Sequence, residues 1–88
     1  MRVEFRKTFE KDLRKLNDKS LLAKLKAAIE TIEQADSLDA ITNLKKLKGD
    51  DGYFRIRIGD YRVGLFLAGE TLLFVRAMHR REFYRYFP

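Results

Sequence analysis

Eighty-eight residues, 45% hydrophobic and 36% charged, make one folded domain spanning 1–88 and exclude both a disordered chain and a second domain. The absence of cysteine excludes a disulfide framework and any thiolate metal site, and is compatible with a reducing cytosol. A formal charge of +6 with a pI near 9.8 favours polyanionic partners.

The first six residues, Met1 to Arg6, lack the apolar run of a signal peptide, and no stretch approaches the ~18 apolar residues of a membrane span. The sequence reads as a cytoplasmic protein without membrane association. Val3 and Phe5 alternate with polar neighbours, a short strand pattern. Thr8 is then placed to cap a helix over 8–16 with Phe9, Leu13 and Leu16 on one side. Asp18 or Ser20 can cap a second helix over 21–35, where Leu22, Leu25, Ile29 and Ile32 form a stripe. Lys11, Lys15, Lys24, Lys26, Glu30 and Glu33 read as the solvated faces of this helical hairpin. Residues 38–47 suggest a helical turn followed by a short strand, and Gly49-Asp50-Asp51-Gly52 calls for a loop.

From Tyr53 the period changes to two. Phe54, Ile56 and Ile58 alternate with Arg55 and Arg57, Gly59-Asp60 interrupts, and Tyr61, Val63 and Leu65 alternate with Arg62 and Gly64: a β-hairpin. Residues 71–78 give a third strand after Gly69-Glu70, and an aromatic and basic tail closes the chain. Helices followed by a strand meander predict an α+β fold. The helical hairpin covers one face of a small, mainly antiparallel sheet and leaves the other face for function.

A two-residue turn at Gly59-Asp60 sets Ile58 opposite Tyr61, Arg57 opposite Arg62, Ile56 opposite Val63 and Arg55 opposite Gly64. Three arginines then share one side, with Phe54, Ile56, Ile58, Val63, Leu65, Leu72 and Phe74 against the helices. A second two-residue turn at Gly69-Glu70 pairs Arg62 with Ala77 and Asp60 with His79, which puts His79 beside the arginines. It also places Arg76 on the core side, where it must reach an edge or find a carboxylate. Residues 53 to 88 carry seven arginines and no lysine, against Asp60, Glu70 and Glu82 only. Arginine's planar fork suits phosphate and base edges. Like charges opposed across a hairpin cost up to about 1 kcal/mol, which an anionic ligand would offset. Gly64 leaves room for a ligand's backbone, or else marks a bulge. Arg80, Arg81 and Arg85 add cations and Tyr84 a ring for stacking on unpaired bases, whereas Phe83 and Phe87 read as core.

The segments Leu47-Lys48-Gly49, Tyr53-Phe54-Arg55-Ile56-Arg57-Ile58-Gly59-Asp60-Tyr61-Arg62-Val63 and His79-Arg80-Arg81-Glu82-Phe83-Tyr84 resemble the RelE branch of the RelE/ParE toxin superfamily. The resemblance covers nearly the whole chain. It implies a toxin held inactive by a cognate antitoxin and, when free, acting with the ribosome to cut mRNA in the A site and inhibit translation. The RNA's 2′-hydroxyl would attack the scissile phosphate, with no metal or cofactor. The toxin–antitoxin complex would bind operator DNA through the antitoxin. By resemblance, Arg55 and Arg57 match paired basic residues of the hairpin, Arg62 the arginine after the tyrosine, Arg80 the tail arginine and Tyr84 the stacking tyrosine. Some members carry lysines where Arg55 and Arg57 stand. Arginine effectively cannot lose a proton, so these two suit transition-state stabilisation rather than base catalysis. His79 is then the best proton-transfer group, ahead of Glu82 and Tyr84.

The rival expectation is a ParE-like inhibitor of DNA gyrase that binds and does not cut; a degenerate toxin that keeps only antitoxin binding is a third. No H-E-x-x-H, cysteine pair or carboxylate cluster suggests a metal, and no phosphate-cradling glycine loop is present.

Overall fold

The alternation that starts at Tyr53 becomes the centre of a five-stranded sheet. The computed structural model describes residues 1–49 and 51–88. The chain forms β1 (Arg2–Phe5), α1 (Lys7–Arg14), α2 (Lys19–Gln34), one 3-10 turn (Leu38–Ala40), β2 (Leu44–Lys46), β3 (Tyr53–Ile58), β4 (Tyr61–Ala68), β5 (Thr71–His79) and α3 (Arg80–Tyr86). The order is β1-β5-β4-β3-β2, with β1 parallel to β5 and the other pairs antiparallel. This is the expected α+β fold. The loop expected at 49–52 includes Asp50, which lies outside the described residues.

The helical hairpin packs on one face through Phe9, Leu21, Leu25 and Ile32, against Ile56, Ile58, Val63, Leu65, Leu72, Phe74 and Ala77. Asp18 caps α2 by accepting from the Leu21 N–H at 3.1 Å. The buried stripe of α2 is rotated from the expected one: Leu21 replaces Leu22, and Leu22 and Ile29 are only half-buried. Thr8 does not cap α1. Arg6 holds the N-cap position without a side-chain bond, and the Thr8 hydroxyl donates to the Val75 carbonyl at 2.6 Å. That carbonyl stands just past the end of β1, whose last partner is Phe74, so α1 satisfies a group the sheet leaves open.

Both hairpins turn on a glycine at the first central position, Gly59 at φ 59° and Gly69 at φ 62°, the left-handed backbone a type II′ turn requires there. The β3–β4 register is the expected one throughout. The β4–β5 register is not. It starts as expected at Ala68–Thr71, then a bulge between Gly64 and Leu65 moves it by one residue, so that Arg62 faces Met78 and Tyr61 faces His79. The extra residue reverses the side assignment for everything beyond it.

The free face is also smaller than expected. The tail folds back as α3, and Phe83 (0% exposed) and Phe87 (4%) bury themselves with Met78, Leu47, Tyr53 and Val75 on the side away from the helical hairpin. A Cβ on Gly64 would lie 2.8 Å from the Phe87 ring, so the space that glycine leaves is filled by Phe87 and not by a ligand.

Candidate nucleic-acid interface at the hairpin turn

The expected arginine row exists as a register but not as an open surface. Arg55 faces Gly64 across the hairpin, alongside the Phe87 ring. It is 5% exposed, and its Nε has no hydrogen-bond partner among the described residues. Burying a guanidinium with an unmet donor is costly. Arg62 is 9% exposed and folds over the turn, its Nη1 donating to the carbonyls of Gly59 at 3.1 Å and Tyr61 at 3.0 Å. Arg57, opposite Arg62, is exposed.

The N-terminus of α3 meets the same turn. The Arg80 N–H donates to the Asp60 carbonyl at 2.8 Å, and the Arg80 Nε lies 4.0 Å from the Asp60 carboxylate, a solvent-exposed pair of little energetic weight. The turn end of the β3–β4 hairpin thus gathers Arg57, Arg62 and Arg80, with Asp60 at the turn the acid nearest Arg80 among the described residues. Arg81 and Arg85 are exposed on α3. Tyr84 is 58% exposed, with its ring edge-on to Phe83 at 4.9 Å.

His79 is on the other side from Arg57 and Arg62, a correction that follows from the bulge. Its ring meets Tyr61 edge-on at 5.6 Å. Its Nδ1 accepts the Arg81 N–H at 3.1 Å and so caps α3. An accepting Nδ1 places the proton of the neutral ring on Nε2. His79 therefore offers an Nε2–H donor; it could take up a proton only at Nδ1, which would form an imidazolium and break the cap.

One group the sequence reading missed anchors this region. Asp12, 7% exposed on α1, accepts from Arg76 Nε at 2.8 Å, Arg76 Nη2 at 3.1 Å and the Ala77 N–H at 2.9 Å. The hydrogen bond to Asp12, added to its charge and opposed by burial, raises the Arg76 pKa above its ordinary value, so the guanidinium stays charged. A partial signal was present: Arg76 was expected to reach an edge or a carboxylate, and Asp12 is the acid set between Phe9 and Leu13 on the apolar side of α1. Among the described residues, no three His, Asp or Glu side chains converge in a way that would hold a metal, and no helix is long and apolar enough to cross a membrane.

Comparison with known proteins bears on what this rim serves. The family model described as the ParE toxin of the type II toxin–antitoxin system parDE matches residues 3–84. Toxin RelE3 of Methanocaldococcus jannaschii is 42% identical over the full length of both chains. Putative toxin RelE1 of the same organism is 37% identical over 91% of this chain and 89% of its own. In the solved RelB–RelE antitoxin–toxin complex from Methanococcus jannaschii, one chain superposes with a TM-score of 0.81 at 39% identity, covering 96% of this chain and 98% of that one.

Proposed function

The chain belongs to the ParE toxin family of type II toxin–antitoxin systems and is a toxin of the RelE type, and from that premise we propose that it is a cytoplasmic, ribosome-dependent mRNA interferase silenced by a cognate antitoxin. The observation that carries the reading is the cationic turn end of the β3–β4 hairpin, where Arg57 lies opposite Arg62 and the start of α3 brings Arg80 onto Asp60 of the turn. Opposed arginines are a cost to folding that an anionic ligand relieves. The partner follows from the RelB–RelE complex, whose toxin is 39% identical to this chain.

In the reaction, the 2′-oxygen of the RNA forms a bond to phosphorus and gives up its proton to a base, while the bond to the 5′-oxygen breaks and that oxygen takes up a proton from a general acid or water. The products are a 2′,3′-cyclic phosphate and a 5′-hydroxyl. Arg57 and Arg80, both exposed, stabilise charge on the phosphoryl oxygens. Arg62, held on the turn carbonyls, fixes the shape of the rim. In its capped state the His79 Nε2–H donates toward a phosphoryl or leaving oxygen, a role that keeps the cap, so base catalysis falls to another group or to a second state of His79. Arg55 reaches RNA only when the end of α3 lifts. No step calls for a cofactor.

The second reading, a ParE-like gyrase inhibitor, is favoured by the description of the matching family model. Brief induction followed by primer extension on translated mRNA, with gyrase-linked DNA breaks scored in parallel, separates the two. Codon-phased cuts weakened in His79→Ala are expected. Intact mRNA accompanied by DNA breaks would transfer the assignment to gyrase.

A further inference from the structure

Past the end of β1, the edge of β5 is open, and there the chain forms a groove of about 460 Å³ between α1 and α3. Its walls include Tyr61, Arg76, His79, Glu82, Tyr86 and Lys15. It wraps round the open edge of β5: Tyr61 and His79 line it from the side away from the Arg57–Arg62 rim, and Arg76 and Met78, in register with Gly64 and Arg62, line it from the rim's own side. The two adjoin where Met78 faces Arg62 and where His79 starts α3.

Charge tells the groove apart from the rim. Lys15 and Arg76 are balanced by Asp12 and Glu82, so nothing in the total selects phosphate. Flat surfaces dominate instead. Asp12 spends both oxygens on Arg76 and on the Ala77 N–H, which fixes the guanidinium plane, and Arg76 Cζ lies 6.0 Å from the centroid of the Tyr86 ring. Tyr86 is 59% exposed and leaves a ring face for a guest. Tyr61 stands edge-on to the His79 ring. Unpaired bases stack on such rings and on guanidinium planes. With Asp12 fully occupied, Glu82 is the carboxylate left to read a base edge. Guanine alone among the bases presents two adjacent donors on its Watson–Crick edge, N1–H and N2–H, which match the two oxygens of a carboxylate.

We infer that this groove is a nucleobase subsite, fitted best to guanine, which takes an unpaired base while the neighbouring phosphates lie on the Arg57–Arg80 rim. Tyr86 supplies the stacking surface and Glu82 the base selection; the inference rests on the RNA-cleaving reading for its purpose but not for its test. The test is an NMR titration of the intact protein with 5′-GMP, following the Arg76 Nε–H and the His79 ring, with 5′-CMP and inorganic phosphate as comparators. GMP is expected to shift both groups and to bind more tightly than CMP. Tyr86→Ala should weaken GMP by about tenfold, Tyr86→Phe should retain it, and Glu82→Gln should erase the preference over CMP. Because Tyr86 and Glu82 are exposed, these variants are expected to keep the wild-type spectrum elsewhere. Equal shifts from phosphate alone, no shift with GMP, or full binding by Tyr86→Ala would overturn the subsite, and equal affinity for CMP would overturn the guanine assignment. GMP binding by a chain that cuts no RNA would sink the interferase reading and leave the subsite standing; RNA cleavage without GMP binding would do the reverse.

Discussion

Arg55 and Arg57 stand two residues apart on the same side of β3, and each faces β4 in the expected register. Arg57 is open to solvent at the turn, whereas Arg55, opposite the Gly64 that Phe87 covers, is 5% exposed and its Nε donor has no partner among the described residues. The strand treats them alike; the seven-residue helix that returns over one end of the face does not. A basic residue at the right register position is thus not yet a surface residue. What decides is which part of the face α3 covers, and α3 is held there by two phenylalanines one helical turn apart.

The strongest way to break this contrast is to release α3. Phe83→Ala removes a fully buried ring and should cost about 3–5 kcal/mol in urea unfolding, close to the whole stability of a domain this small. A loss under about 1 kcal/mol would mean that α3 is not anchored as described. Next in size is Arg57→Ala, expected to lower RNA cleavage by about a hundredfold while leaving stability within about 0.5 kcal/mol of wild type or slightly raising it, since it removes a like-charge pair. Asp12→Asn comes third. It leaves Arg76 short of its charged acceptor and should cost about 1–3 kcal/mol, read as a lower urea midpoint at unchanged slope. Its cause is distinct from that of Phe83→Ala because it acts on the open edge of β5. The smallest effect is expected of Arg55→Met, which exchanges a buried, incompletely bonded guanidinium for an apolar chain of similar length and should be neutral or stabilising by about 1 kcal/mol. A destabilisation of several kcal/mol would show that Arg55 contributes to the fold as a cation.

The first hairpin was legible because Gly59-Asp60 is a two-residue turn with glycine where φ must be positive, and such a turn fixes the register of the strands it joins. The second was legible only as far as Leu65. Gly64, read as room for a ligand or else a bulge, does mark the place of the shift, but no residue between 73 and 77 announces the extra position at Val75, and that one unpaired residue moved His79 from the arginine side to the Tyr61 side. Arg76 was expected on the core side, reaching an edge or a carboxylate; the bulge sets it opposite Gly64 on the other side, and Asp12, 64 residues away, is brought to it at the open edge of β5 by tertiary packing of α1 and not by any local pattern. For α3 the signals were in the tail: Phe83 and Phe87, spaced by four, read as core, and Gly64 offered them a flat place to pack. The consequence missed was that core packing by the tail removes Arg55 from the surface it shares with Arg57.

The central claim, that the open turn end and not the covered part of the arginine face carries the chemistry, is tested most directly by primer extension on mRNA translated in the presence of the wild-type protein, Arg57→Ala or Arg55→Met. Codon-phased cuts by wild type that persist in Arg55→Met and disappear in Arg57→Ala are the predicted result. Cuts that survive in Arg57→Ala but vanish in Arg55→Met would contradict it and place the reaction beneath α3.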